Sequence, residues 1–136
     1  MNEIKQLDNE IFERGNKNDA FKDYFVGQSY LNMLSMEGVS IGNVTFEPGC
    51  RNNWHIHHKG GQILLVTGGR GYYQEWGKDA KELFPGDVVN IPPEVKHWHG
   101  AAKDSWFVHL AVEVPAEGAS NEWLEAVSNE DYNKLK

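Results

Sequence analysis

The stretch WHIHHKGGQ, Trp54–Gln62, places three histidines within four positions and closes on a glutamine. In an extended strand side chains two apart share a face, so His55 and His57 point together while Ile56 points the other way. The next four residues, His58-Lys59-Gly60-Gly61, have the length and the glycines of a hairpin loop. Such a loop would make His57 and Gln62 cross-strand neighbours, with Cβ atoms about 5 Å apart on one face. A second stretch, KHWHGA, repeats the pattern: His97 and His99 share a face and Trp98 faces away. His55, His57, Gln62 and His97 together form a candidate site for one divalent transition metal. Manganese, iron, cobalt, nickel and zinc all accept imidazole. All six histidines lie between His55 and His109, and a shared site accounts for that clustering.

Working outward, residues 30–114 read as short β-rich runs broken by turn formers, the signature of an all-β sandwich or barrel. The candidate strands are YLNMLS, VSIGNVTFE, NWHIH, QILLVTG, RGYYQEW, KELF, DVVNI, KHWHGA and SWFVHLAVEV. Glu-Gly, Pro-Gly, Gly-Gly, Gly-Lys-Asp and Pro-Pro punctuate them. Long helical patterns between the strands are absent, which argues against a parallel α/β fold. Residues 1–27 are polar with scattered Ile4, Ile11, Phe12, Phe21 and Phe25, and read as an extension with a short helix and an irregular lead-in. Residues 115–136 read as a tail in which SNEDYNKL forms a short helix, with Ser128 as N-cap and acidic residues in the first turn. No repeat, low-complexity run or linker divides the chain, so 1–136 is taken as one domain.

A chain of 136 residues with a formal charge of −7 and no basic run would repel a phosphate backbone, so nucleic acid is excluded as a partner. No apolar run approaches the roughly 20 residues of a membrane span, and MNEIKQLDNE is too polar for a signal peptide. Cys50 is the single cysteine, so no internal disulfide forms and a cytoplasmic location is the default. With only Arg51 as a basic neighbour, Cys50 is not read as a catalytic thiolate.

The two histidine stretches resemble the motifs of the cupin superfamily. The first family motif is G-x5-H-x-H, three or four residues, E, x6, G. Here it reads Gly49, five residues, His55-Ile56-His57, four residues, Gln62, six residues, Gly69. The second, G-x5-P-x-G-x2-H-x3-N, reads Gly86, five residues, Pro92, Pro93, Glu94, two residues, His97, three residues, Ala101. Gln62 for Glu, Glu94 for Gly and Ala101 for Asn depart from the pattern. The resemblance implies an antiparallel double-stranded β-helix, or jelly-roll barrel, whose inner faces converge on a pocket. TFEPG, GDVVNIPPEVKHWHGA and VHLAVE further resemble small single-domain cupins of the carboxymuconolactone-decarboxylase-associated group. That group includes manganese-dependent cupin hydroxynitrile lyases, which also use glutamine at this position. The resemblance implies His55, His57, Gln62 and His97 as metal ligands, manganese as the first metal, and His109 as general base.

Three neutral imidazoles and a neutral amide leave a divalent charge uncompensated by protein, which favours a Lewis-acid role over storage. Other residues carry two readings. His109 is either a neutral base beside the cation or a buried histidine satisfied by a backbone partner. His99 either serves the pocket or is structural, and Gln62 could support a ligand instead of binding. Phe46 and Phe107 are candidate pocket residues among aromatics that mostly pack the barrel. Glu113 either orients a base or substrate or is simply solvated. His58 and Lys59 are read as solvent-exposed and uninvolved.

The expected function is a metal-dependent, lyase-type enzyme (hydroxynitrile-lyase-like or decarboxylase-like) acting on a small carbonyl or hydroxyl substrate. An iron-dependent dioxygenase and a non-catalytic small-molecule-binding cupin are the alternatives. At least a dimer is expected, the N-terminal segment adding a strand to a neighbouring barrel; a monomeric mass in light scattering would contradict it.

Overall fold

The computed structural model describes residues 10–135. Ile4 and the start of the predicted N-terminal extension lie outside them. Two antiparallel sheets face each other. One runs in the order β1 (Asn16–Lys17), β3 (Ser29–Ser35), β4 (Ile41–Phe46), β12 (Phe107–Glu113), β7 (Gln62–Gly69), β10 (Val88–Ile91). The other runs β13 (Ser120–Trp123), β6 (His55–His58), β11 (His97–Ala101), β5 (Arg51–Asn52), β2 (Phe25–Val26). On the opposite edge of β11 lie β8 (Gly71–Glu75) and, beyond it, β9 (Lys81–Leu83). This is the expected all-β jelly-roll barrel.

Side-chain alternation assigns each strand its faces. On β7, Gln62, Leu64 and Val66 are buried while Ile63, Leu65 and Thr67 are less so. The inward set from both sheets forms the main core, including Val44, Phe46, Leu64, Val66, Ile91 and Phe107. On β11 both faces are covered: His97 and His99 face in, and Trp98 faces out into a second cluster with Trp54, Tyr72, Val127 and Tyr132. That outer layer includes the predicted C-terminal helix, α1 (Asn129–Asn133), whose backbone Asp131 N–H donates to the Ser128 hydroxyl. Arg51 pins it, lying 4.2 Å from the Tyr132 ring and donating to Val127 O and Asn129 Oδ1.

One expectation is corrected: the sheets extend past 30–114 at both ends, because Asn16–Lys17, Phe25–Val26 and Ser120–Trp123 pair with strands inside that range. The short N-terminal helix is of 3-10 type, spanning Asp19–Tyr24 with a kink at the non-helical Phe21. Among the described residues no helix is long and apolar enough to cross a membrane.

Candidate metal centre

His55 and His97 are register partners across β6 and β11, so their side chains emerge beside one another on the inner face. His57, two residues along β6, joins them. The three are buried, and one ring nitrogen of each lies within 4.8 Å of the others. These three histidines could hold a metal ion, as the period-two reading expected.

The protons of the three rings point away from that meeting point. His55 Nδ1 lies 2.8 Å from Asn53 O, His97 Nδ1 2.9 Å from Val95 O, and His57 Nδ1 2.7 Å from Asn121 Oδ1. Each partner is an oxygen that only accepts, so each Nδ1 carries the hydrogen and each Nε2 keeps its lone pair. Nε2 of His57 and of His97 is buried with no hydrogen-bond partner. Burial, and then the neighbouring His97, hold His55 well below its ordinary pKa, and burial takes His97 down to about 4. Buried neutral donors with free lone pairs are what a borderline divalent ion requires.

Gln62 reaches the same cavity by another route than a hairpin. β6 and β7 lie in different sheets, so His58–Gly61 crosses the barrel edge and His57 pairs with Asn121 instead. The two glycines are there for close approach. A Cβ on Gly60 would sit 2.4 Å from Val114 O, and one on Gly61 2.6 Å from Ile91 O. Gln62 is the register partner of Ile91 on one side and Glu113 on the other, and its Nε2 donates to Glu113 Oε2.

The cavity has a volume of about 190 Å³. His55, His57, Gln62, His99, His109, Glu113 and Asn121 provide much of its polar wall, while Phe25, Leu31, Val44, Phe46 and Trp123 provide much of its apolar wall. His109 is fully buried, and neither ring nitrogen has a hydrogen-bond partner, so it is not the backbone-satisfied histidine of the alternative reading. Its ring stands perpendicular to that of His99, with centroids 4.9 Å apart. His99 is held from behind: Asn52 Nδ2 lies 3.2 Å from its Nε2 and Asn52 Oδ1 accepts from its backbone N–H. Phe46 stacks on His99 and lines the cavity. Phe107 does not line it; it shares the inner face with His109 but packs deeper, beside Phe46 and His109 in the core.

His58 is not uninvolved. Its Nδ1 lies 2.6 Å from Glu94 Oε1 and its Nε2 2.7 Å from Glu122 Oε1, and these carboxylates raise its pKa. Glu94 also accepts from the Lys59 backbone N–H. At φ +69° it occupies a left-handed conformation, which explains why the family pattern has glycine there. Asn121, Trp123 and Asn52 were missed from sequence, and only the alternation within SNEW hinted at the first two. Burial takes Cys50 well above an ordinary thiol, consistent with no catalytic thiolate.

Burial alone takes His109 down to about 3, from 6.5. The unfolded chain therefore takes up this proton first. His109 contributes its full stability above about pH 6.5 and loses it progressively as pH falls toward 3. Metal-free protein should lose stability over that range at about 1.4 kcal/mol per pH unit for each such proton. Urea denaturation midpoints from pH 7 to 4 check this, and His109→Phe should flatten the slope.

A cupin-domain family model matches residues 42–113. The chain is similar to an (R)-mandelonitrile lyase of Granulicella tundricola, 45% identical over 96 residues that cover 71% of this chain and 72% of that protein. It is also similar to an acireductone dioxygenase of Bacillus pumilus, 29% identical over 66 residues, 46% of this chain but only 38% of that protein. Among solved structures, a cupin-like protein from Thermotoga maritima superposes with a TM-score of 0.85 at 46% identity, covering 93% of this chain and 96% of that one.

Proposed function

The chain belongs to the cupin family, and on that premise we propose that it is a metal-dependent lyase acting on a small uncharged molecule bearing a hydroxyl or carbonyl. One observation carries this reading: three buried imidazoles offer convergent Nε2 lone pairs in the barrel that also buries the unpartnered His109. His55, His57 and His97 would hold the metal with Gln62 as fourth ligand, manganese being the first choice and iron, nickel, cobalt or zinc the alternatives. When bound, the ion supplies Lewis-acid polarisation of a substrate oxygen.

The chain's own residues supply the rest. The apolar wall of Phe25, Leu31, Val44 and Trp123 receives the organic part of the substrate and keeps water from the reacting bond. Among the described residues no lysine or arginine lines the cavity. His109 is neutral at pH 7 and takes the hydroxyl proton through a ring nitrogen. For a cyanohydrin, the C–C bond to the nitrile then breaks, its electron pair leaves with cyanide, and the oxygen closes to an aldehyde carbonyl. His109 passes its proton to cyanide, so hydrogen cyanide leaves and the base is regenerated. Similarity to the (R)-mandelonitrile lyase supports this class of substrate.

The decisive experiment is manganese loading followed by cyanohydrin cleavage, in air and under argon. Equal aldehyde release in both is expected. Activity that disappears without oxygen would instead favour a dioxygenase, the reading supported by the partial similarity to acireductone dioxygenase. Ligand binding without turnover under either gas would reduce the protein to a binding cupin.

A further inference from the structure

Glutamine at position 62, where the family pattern has a carboxylate, leaves the ligand set one negative charge short of that pattern. Directly across the β7–β12 ladder stands Glu113, the register partner of Gln62 and, among the described residues, the one formally charged side chain lining the cavity. Gln62 Nε2 donates to Glu113 Oε2. A carboxylate only accepts hydrogen bonds, so it fixes which way the amide faces: the NH2 end is committed to Glu113, and Oε1 is the atom left for a cation.

We propose that Glu113 is the positioning residue for Gln62, orienting its amide oxygen and transmitting through that amide the negative charge that the family pattern places directly on the metal. This rests on the metal reading above. The two residues then belong together. A glutamate at 62 would face Glu113 carboxylate to carboxylate, an arrangement in which both cannot stay ionised. Glutamine removes the conflict while keeping the charge one hydrogen bond further out, where it tempers the ion and still leaves it a stronger Lewis acid than a direct carboxylate would.

The test measures manganese affinity of metal-stripped protein by chelator competition, which needs no substrate. Glu113→Gln keeps an acceptor for the Gln62 amide but removes the charge, and is expected to weaken binding about tenfold. Glu113→Leu removes both acceptor and charge, and should weaken it toward 100-fold, the upper range for partners of metal ligands. The exchanged pair, Gln62→Glu with Glu113→Gln, reverses donor and acceptor and should restore affinity to the wild-type level or beyond. Because Glu113→Gln keeps the hydrogen bond, a merely structural role would leave affinity unchanged in that variant. Single variants within twofold of wild type would overturn the proposal. An exchanged pair no tighter than Glu113→Gln alone would overturn it equally. Wild-type protein that takes up no manganese, cobalt or zinc would instead overturn the metal reading itself.

Discussion

Replacing His109 with alanine is expected to lower cyanohydrin turnover by about a hundred- to ten-thousandfold, the range that a positioned general acid–base group contributes. Metal content should stay unchanged. The reason is spatial separation: His109 comes from β12 in one sheet, whereas the convergent histidines come from β6 and β11 in the other. Its ring touches His99, Phe46 and Phe107 but donates to none of them. Removing it therefore deletes a proton carrier without loosening the trio. Steady-state kinetics beside metal analysis of the same preparation checks both halves. Turnover that survives the substitution would remove His109 from the chemistry.

His97→Ala should have the opposite signature, loss of metal first and of activity as a consequence. His97 is fully buried, with its Nδ1 hydrogen bound to Val95 O and its Nε2 free. It also sits centrally, with ring centroids 4.2 Å from His55 and 5.2 Å from His57. Two histidines and one amide make a poor chelate, so manganese affinity should fall by more than the roughly 100-fold expected for losing a ligand's outer partner. Metal titration monitored by electron paramagnetic resonance would show free rather than bound manganese. Affinity within tenfold of wild type would mean that the ion is held elsewhere.

Which parts of this were legible in the sequence follows from the range of the forces involved. His55, His57, His97 and His99 share faces through strand alternation, a property of two or three consecutive residues, and that survives any topology. Gln62 arrives in the right cavity although the hairpin reasoning was wrong. Gly60 and Gly61 look like turn residues, yet they serve close approach to Val114 and Ile91, and nothing local separates the two uses. His58 is solvent-facing as read, but its partners Glu94 and Glu122 lie 36 and 64 positions away and leave no local trace. Phe107 was placed in the cavity by alternation, which does give it the inner face, but alternation carries no depth, and Phe107 fills the core beside Phe46 instead of the cavity wall. Ser120–Trp123 has too little apolar content to announce a strand, because it is an edge whose value is set by what it faces.

That edge strand alters what counts as the minimal unit. A fragment cut to the matched residues 42–113 would retain every side chain named in the two family motifs but none of their supports from the tail. His57 would lose Asn121, the acceptor that turns its lone pair inward, and His55 would lose the Trp123 indole packed 4.7 Å from it. Phe21 and Phe25 would vanish from the cavity wall. Anyone transplanting this centre into another barrel must carry both flanks along, since the residues that bind are useless until the residues that aim them are present.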